Sequence, residues 1–368
     1  MQLFIFFKKF SAPAIIFISY NAIAQNPLQR LPAWKPEYEN IYKEDWLIKP
    51  VAAKAGVYRS VNGKDIILYN GLLKRAFRIQ PNIVCIDYKN MSNGQQLLRA
   101  IKPEGRVTID NKEYDIGGLH RQSENAYLIP EWVDNFTTSE NDFQFMKLNV
   151  SDIQPFIQWK PQGFAMNKNQ PTGKMLSFMF HSSLPELTNI IVKVNYELYD
   201  GIPLVIKWVS IENRTDRSII LNRAVNEVLA LVEEESAVVG TPEQMKKQHG
   251  IYVETNYAFN NAMRYDISDQ TTHWKTDSMY TSQVNYNFQT PCLLEVYPEK
   301  VTGLELHAGE VFKSARTCEL LMDSYDRERR GLAIRKMYRI IAPWTTENPI
   351  FMHLVSRNDE EVKQAIDQ

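Results

Sequence analysis

Residues 266–286 gather the side-chain types that proteins use to hold sugars. The segment reads DISDQTTHWKTDSMYTSQVNY and brings His273, Trp274, Lys275 and Asp277 close together along the chain. An aromatic ring stacks on the apolar face of a sugar while charged and amide groups fix the hydroxyls, which is the general layout of a polar ligand site. We predict a carbohydrate-contacting loop here. The alternative is an ordinary exposed loop whose tryptophan packs at a domain boundary.

A second candidate carbohydrate contact is Trp132 with Asp134, in the segment PEWVDNF. Its composition is similar, although the segment offers fewer polar side chains. The acidic run Glu233–Glu235 could suggest calcium, but three consecutive acids are more typical of a solvated strand end. We therefore predict no calcium site there.

Histidine spacing gives no sign of a metal site. The six histidines, at positions 120, 181, 249, 273, 307 and 353, form neither H-x-H nor H-E-x-x-H. We interpret His353 as a packing residue. An aldose epimerase would need a base and an acid around one sugar, and Glu227 with His120 or His181 has those types. Nothing in the sequence brings them together, so we assign these residues no catalytic role, and we predict no metal and no cofactor.

Composition and charge exclude some classes of partner. The chain has 368 residues, 44% of them hydrophobic, and a formal charge of −1. It can therefore bury a large core, and it has no basic surplus for nucleic acid or an anionic membrane. Cys85, Cys292 and Cys318 are widely spaced and form no C-x-x-C, so we predict no disulfide.

The N-terminus has the layout of a secretory signal. Lys8 and Lys9 precede an apolar run from Phe10 to Tyr20, and a small-residue motif ending at Ala24 follows. The run is too short for an ordinary membrane span. We predict a signal peptide over residues 1–24 and export to the periplasm or the exterior. The alternative is an uncleaved anchor, because the stretch before the lysines is also apolar.

Most of the remaining chain has the patterning of antiparallel strands. Residues 25–55 contain several prolines and suggest an extended lead-in, whereas residues 56–322 carry apolar runs separated by turns. Asn70-Gly71 and Asp200-Gly201 separate pairs of such runs, as in two-residue hairpins. We predict a large antiparallel β-sandwich over residues 56–322. The polar residues 137–173 are interpreted as a long loop or an excursion from it.

The pattern becomes helical after residue 322. Four apolar residues share one helical face: Ile334, Met337, Tyr338 and Ile341. They predict a linker helix within residues 323–342, which ends before Pro343. Residues 343–368 then read as one strand, a helix cap at Asn358 and a short helix. This is the first half of a βαβ unit, and no returning strand follows in the sequence.

Three segments resemble those of the α-galactosidase-like (melibiase-like) glycoside hydrolases. Residues 194–215, VNYELYDGIPLVIKWVSIENRT, look like the family's strand pair and Asn-containing turn. Residues 304–339 look like its last sandwich strands and the helix before the barrel, and residues 342–368 look like the first strand and helix of that barrel. The resemblance implies a galactose-mutarotase-like β-supersandwich, then a linker helix and the first βα unit of an incomplete (β/α)8 barrel.

The same resemblance implies that catalysis takes place outside this chain. The family's nucleophile and acid/base are two aspartates on later barrel strands, and retaining glycosidases hold such carboxyls about 5–5.5 Å apart. An eight-unit barrel needs about 200 residues or more, so neither aspartate is expected here. We expect the N-terminal part of an exported glycoside hydrolase. It would support the missing C-terminal barrel and shape a site for a galactoside-like glycan.

Two other functions compete with this expectation. One is a stand-alone carbohydrate-binding or structural sandwich without a catalyst. The other, less favoured, is an aldose epimerase. The sequence indicates neither an oligomeric state nor a specific glycoside.

Overall fold

The computed structural model describes residues 27–367 except for 124–125, 161–169, 236–239, 258–269, 300–302 and 347–357. The predicted signal peptide and the predicted first barrel strand, with His353, lie outside the described residues. None of the described helices is long and apolar enough to span a membrane.

Strands dominate the described residues. Their bounds are β1 Gly56–Arg59, β2 Asp65–Tyr69, β3 Leu73–Arg78, β4 Val84–Asn90, β5 Leu98–Ala100, β6 Gly105–Ile109, β7 Lys112–Ile116, β8 Gln144–Asp152, β9 Gly173–His181, β10 Ile190–Tyr199, β11 Leu204–Asn213, β12 Ile219–Val225, β13 Glu227–Leu231, β14 Ile251–Thr255, β15 Thr272–Lys275, β16 Leu293–Val296, β17 Leu304–Leu306, β18 Val311–Lys313 and β19 Thr317–Leu321. The α-helices are α1, Arg327–Ile341, and α2, Asp359–Asp367. Short 3₁₀ segments include Pro27–Arg30, Pro36–Glu39, Pro130–Asn135 and Pro343–Thr346.

Four antiparallel sheets surround one main core. The largest has the order β14-β19-β11-β10-β9-β8, and β18 also pairs with β11. The others are β1-β2-β3-β4, β17-β12-β6-β7 and β15-β16-β13-β5. Each sheet contributes buried side chains to the main core, among them Phe77, Val107, Val194 and Leu294. The predicted mainly β, antiparallel sandwich is therefore confirmed.

The hairpin β10–β11 forms the centre of the largest sheet. Its register places Val194 opposite Val209 and Tyr196 opposite Lys207. Gly201 turns the chain with φ of +71°, a conformation that glycine adopts without strain. Alternate side chains of a strand point to opposite faces, so the hairpin packs the main core on one face. Its other face packs in a second core that includes Met337 of α1.

Helix α1 is held firmly against the outer face of the largest sheet. The Asp326 side chain caps it by accepting a hydrogen bond from the Arg329 backbone N–H. Trp46 Nε1 donates to Asp323 over 2.9 Å, and Arg329 Nη2 reaches the same carboxylate at 2.7 Å. As the sequence predicts, the helix ends before Pro343.

The capping residue predicted at position 358 is present. Asn358 Oδ1 accepts a hydrogen bond from the Glu361 backbone N–H over 2.9 Å, at the start of α2. Two stretches expected to be loop are strands instead, namely β8 within residues 137–173 and β15 within residues 266–286. Both are edge strands. Edge strands carry polar side chains that obscure the usual pattern, which explains why these two strands were missed.

Candidate functional site

The predicted sugar-contacting residues 273–275 lie on two faces of an edge strand. The His273 ring stacks on Tyr297 with ring centres 4.1 Å apart, and its Nε2 lies 2.9 Å from the Tyr297 carbonyl oxygen. Lys275 Nζ donates to Glu295 over 2.6 Å. Neighbouring side chains of a strand point to opposite faces, so Trp274 faces away from both. The structure does not bring these three residues into one site.

Asp277 is a buried ion-pair partner. Its carboxylate accepts from Arg99 Nη2 over 2.8 Å and from Lys102 Nζ over 3.1 Å, and the residue is 1% exposed. Burial raises the pKa of Asp277, but the adjacent Lys102 and Arg99 cations outweigh it and leave the pKa below its usual value. The Arg99 guanidinium stacks 3.8 Å from the centre of the Tyr280 ring. These contacts account for the burial of Asp277 by packing and charge pairing, without a sugar ligand.

Asp134 and Trp132 are also separated. Asp134 lines a cleft of about 890 Å³, the polar cleft, which Trp34 and Lys74 also line. Hydrogen bonds from Lys64 and Arg78 lower the pKa of Asp134. Trp132 is half-buried against a small apolar cluster and is not among the residues that line the polar cleft. Of the two predicted residues, Asp134 therefore lines this cleft and Trp132 does not.

A more aromatic cleft lies where the outer face of the largest sheet meets the end of α1. We call it the helix-end cleft, and its volume is about 300 Å³. The sheet contributes Tyr199, Ile206 and Cys318, and the helix and the turn after it contribute Tyr338 and Trp344. The segment after β8 adds further apolar side chains: Phe156, Ile157 and Trp159. Phe156 is 62% exposed, so this cleft offers an accessible aromatic surface.

Arg316 forms the charged floor of the helix-end cleft. Its guanidinium pairs with Glu197, which also accepts a hydrogen bond from the Tyr199 hydroxyl over 2.9 Å. The guanidinium carbon lies 4.0 Å from the centre of the Trp208 ring and 4.9 Å from that of Phe156. Stacking of this kind fixes the planar group while leaving its edge able to donate hydrogen bonds.

Glu254 forms the other polar edge of this cleft. It accepts hydrogen bonds from the hydroxyls of Tyr252 and Tyr338, the latter over 2.8 Å. Burial, and then the hydrogen bond to Glu254, raises the pKa of both tyrosines, which stay neutral donors. Glu254 and the buried Glu197 next to the cleft therefore both have partners within the protein. Among the described lining residues, Glu254 is the one carboxylate, whereas glycoside hydrolysis typically uses a pair of carboxyls.

The epimerase pair suggested by the sequence is not supported. Glu227 is 1% exposed and accepts from Lys207 Nζ over 2.6 Å. Burial acts to raise the pKa of Glu227, but the adjacent Arg75 and Lys207 cations outweigh it and leave the pKa below its usual value. The group is therefore a weak base. His120 Nε2 instead lies 2.7 Å from Asp142 Oδ2. Among the described residues, no group of three or more His, Cys, Asp and Glu side chains is arranged to hold a metal ion.

The important residues that sequence reasoning missed come from distant segments. Trp34 lies in the lead-in, whereas Phe156, Trp208 and Arg316 belong to three separate parts of the sandwich. Of these residues, only Trp208 could have been placed from the sequence. The strict alternation of β11 puts its side chain on the face opposite the main core.

No family model and no curated protein matches this sequence. The solved structures that resemble the chain include the GH36 alpha-galactosidase AgaB from Geobacillus stearothermophilus, with 11% identity and a TM-score of 0.40 over 73% of this chain and 41% of that one. The alpha-galactosidase from Lactobacillus brevis matches with 11% identity and a TM-score of 0.40, over 79% of this chain and 42% of that one. A Glycoside Hydrolase Family 97 enzyme variant from Pseudoalteromonas sp. strain K8 matches with 9% identity and a TM-score of 0.34, over 73% of this chain and 35% of that one.

These matches agree with the resemblance predicted from the sequence. This chain spans about two fifths of the length of the first solved structures it matches.

Proposed function

We propose that this chain is the N-terminal part of an exported α-galactosidase-like glycoside hydrolase. Its sandwich would support a catalytic barrel, and its helix-end cleft would form part of the carbohydrate site. The observation that carries the proposal is this cleft, which the outer face of the largest sheet and the end of α1 build together.

The lining of the helix-end cleft suits a sugar. Phe156, Trp159 and Trp344 offer aromatic surface, while Arg316 and Asn256 offer hydrogen-bond donors at the same cleft. Carbohydrate sites combine an apolar surface with a few placed polar groups. Glu197 is paired with the Arg316 cation, and Glu254 accepts hydrogen bonds from two tyrosine hydroxyls. We therefore assign binding to this chain and leave hydrolysis to a barrel.

The attachment of α1 supports a scaffold role. Trp46 and Arg329 both bind Asp323, and Lys336 Nζ donates to the Trp46 carbonyl oxygen over 2.6 Å. Met337 is fully buried in the second core. Because both polar and apolar contacts attach α1 to the sandwich, the position and direction of the end of the helix are fixed.

Binding of raffinose to the full chain tests the carbohydrate part. A variant of the GH36 alpha-galactosidase AgaA from Geobacillus stearothermophilus, one of the similar structures, was crystallised in complex with raffinose. We expect calorimetric titration to show binding, with no release of galactose. Trp344→Ala should weaken the affinity about fivefold or more, as for a contact residue near the centre of a site. Tyr286→Ala is the matched control, because Tyr286 is 53% exposed and is not among the residues that line the cleft.

Two outcomes would contradict this assignment. Equal affinities of the Trp344→Ala and Tyr286→Ala variants would remove the cleft from the carbohydrate site. Galactose release by the chain alone would overturn the assignment of catalysis to a barrel. Strand–helix repeats encoded beyond residue 368 would favour the barrel support over a stand-alone binding module.

Export is a separate part of the proposal. The predicted signal peptide covers residues 1–24. We expect the mature protein to be recovered from the periplasm or the medium with Gln25 at its N-terminus. N-terminal sequencing checks this, and an intact N-terminus on a membrane-bound protein would favour the uncleaved anchor.

A further inference from the structure

We propose that a second cleft, lined by Trp274 and several cations, binds the carboxylate of an acidic sugar. This cationic cleft has a volume of about 470 Å³ and includes the cations of Lys246, Lys247 and Arg330, together with the His249 ring. It shares no lining residue with the helix-end cleft. Its proposed ligand is an acid rather than the neutral galactoside proposed above. Because the two clefts are distinct, the inference does not depend on that function.

Arg330 is the main reason to expect an anion. The residue is half-buried, and Nη1 donates to the backbone carbonyl oxygens of His249, over 2.7 Å, and of Ser324, over 3.4 Å. No carboxylate among the described residues lies within salt-bridge distance of it, and burial lowers its pKa. A cation shielded from water without a counter-ion is unfavourable. An anionic ligand in this cleft would supply the missing charge.

Lys247 adds a second cation without an acidic partner. It is exposed and pairs with no carboxylate in the described part of the chain. Its neighbour Lys246 behaves differently, since its Nζ lies 2.9 Å from Glu235. The two adjacent lysines therefore form a natural matched pair, one available to a ligand and one already neutralised.

Glu234 does not compete for the ligand site because both its oxygens are engaged. Oε1 lies 2.6 Å from His249 Nδ1, and Oε2 accepts from the Tyr325 hydroxyl over 2.7 Å. This carboxylate holds the two rings stacked with centres 3.5 Å apart. The side chain of Glu234 is only 8% exposed, which corrects the expectation of a solvated acidic run. Nδ1 of His249 is thus occupied, and Nε2 is the ring nitrogen left for a ligand hydroxyl.

Trp274 favours a sugar acid over other anions. The residue packs against the main core and also lines this cleft. An aromatic ring and a guanidinium that line the same cleft suit a pyranose whose apolar face stacks on the ring and whose carboxylate pairs with the cation. A free phosphate or an acidic peptide would use the cations but not the ring. Of the residues predicted to contact sugar between positions 273 and 277, only Trp274 contributes here.

Binding of galacturonic acid to the full chain, compared with galactose at the same ionic strength, tests the inference. We expect galacturonic acid to bind about tenfold more tightly, because a charge-assisted hydrogen bond discriminates by roughly that factor. Lys247→Met should reduce the preference about threefold or more, whereas Lys246→Met should leave it nearly unchanged. Both lysines are exposed, so neither variant should perturb folding. Arg330→Gln should abolish the preference.

Several results would overturn the inference. Equal affinities for galacturonic acid and galactose would remove the anionic site, as would equal effects of the two lysine variants. Tight binding of inorganic phosphate or an oligoglutamate peptide, unaffected by Trp274→Phe, would exclude the sugar. Trp344→Ala should not alter galacturonic acid binding, so failure here is distinguishable from failure of the helix-end cleft.

Discussion

Arg75 and Glu227 form an ion pair in the middle of the sandwich, with 2.9 Å between Nη2 and Oε2 and both side chains 1% exposed. Arg75 also reaches Glu319 at 3.0 Å, and Lys207 of the largest sheet binds Glu227 of another sheet. These residues come from β3, β11, β13 and β19. The charged core cluster of Arg75, Lys207, Glu227 and Glu319 therefore links three of the four sheets at one point.

Breaking the buried pair should destabilise the fold strongly. Arg75→Met leaves Glu227 and Glu319 in the core without the guanidinium between them. Removal of one partner of a buried ion pair typically costs about 3–5 kcal/mol, and we expect a loss of this size in urea unfolding. Asp152→Asn is the control, because the pair of Asp152 with Lys174 is largely exposed and should change stability little. Similar losses for the two variants would contradict the account.

Glu319 should make the fold less stable as the pH rises above about 4.3, where an unfolded glutamate ionises. Burial, reinforced by the charge of Glu227, raises the pKa of Glu319 well above that value. Between the two pKa values unfolding releases a proton, so the free energy of unfolding falls with rising pH. Glu319→Gln should remove this decline. Urea unfolding of parent and variant across this range measures the difference, and parallel profiles would refute the prediction.

Glu227 should contribute to stability with the opposite pH dependence. Although its burial acts to raise the pKa, Arg75 and Lys207 leave it below the unfolded value. Its stabilisation is therefore present above about pH 4.3 and is lost as the pH falls through the lowered folded pKa. Glu227→Gln should accordingly destabilise the protein near neutral pH and make less difference in acid. The same urea series, extended to lower pH, checks this sign.

The local sequence pattern predicted the strands and helices but not which parts of the chain pack against them. Asp200-Gly201 and the apolar stripe with Met337 act within a few residues, so the hairpin β10–β11 and helix α1 follow from sequence. The alternation in β11 also indicates which side chains share a face. It does not indicate that other sheets cover Lys207, because that contact joins residues far apart in the chain. Arg316 and Phe156 of the helix-end cleft meet for the same non-local reason.

The three cysteines should resist thiol reagents in the folded protein. Cys85, Cys292 and Cys318 are free and buried. Burial raises the pKa of Cys85 and of Cys318 to about 12, so the reactive thiolate is scarce at neutral pH. We expect almost no reaction with Ellman's reagent at pH 8 in buffer and reaction of all three thiols in concentrated urea. Rapid labelling of the native protein would contradict this burial.

Gly173 should tolerate alanine far less well than Gly201. A Cβ added at Gly173 would lie 2.1 Å from the Leu198 carbonyl oxygen, so the β9–β10 ladder would have to separate there. Backbone cannot rotate away as a side chain can, and such overpacking typically costs about 1–3 kcal/mol. A Cβ at Gly201 meets nothing within 4 Å and is strained only by φ of +71°, which costs about 1–2 kcal/mol. Thermal unfolding of both alanine variants should therefore place Gly173→Ala lower, with its loss near the upper end of the overpacking range. The reverse order would mean that the ladder opens more easily than its regular register from Phe180 to Gly173 suggests.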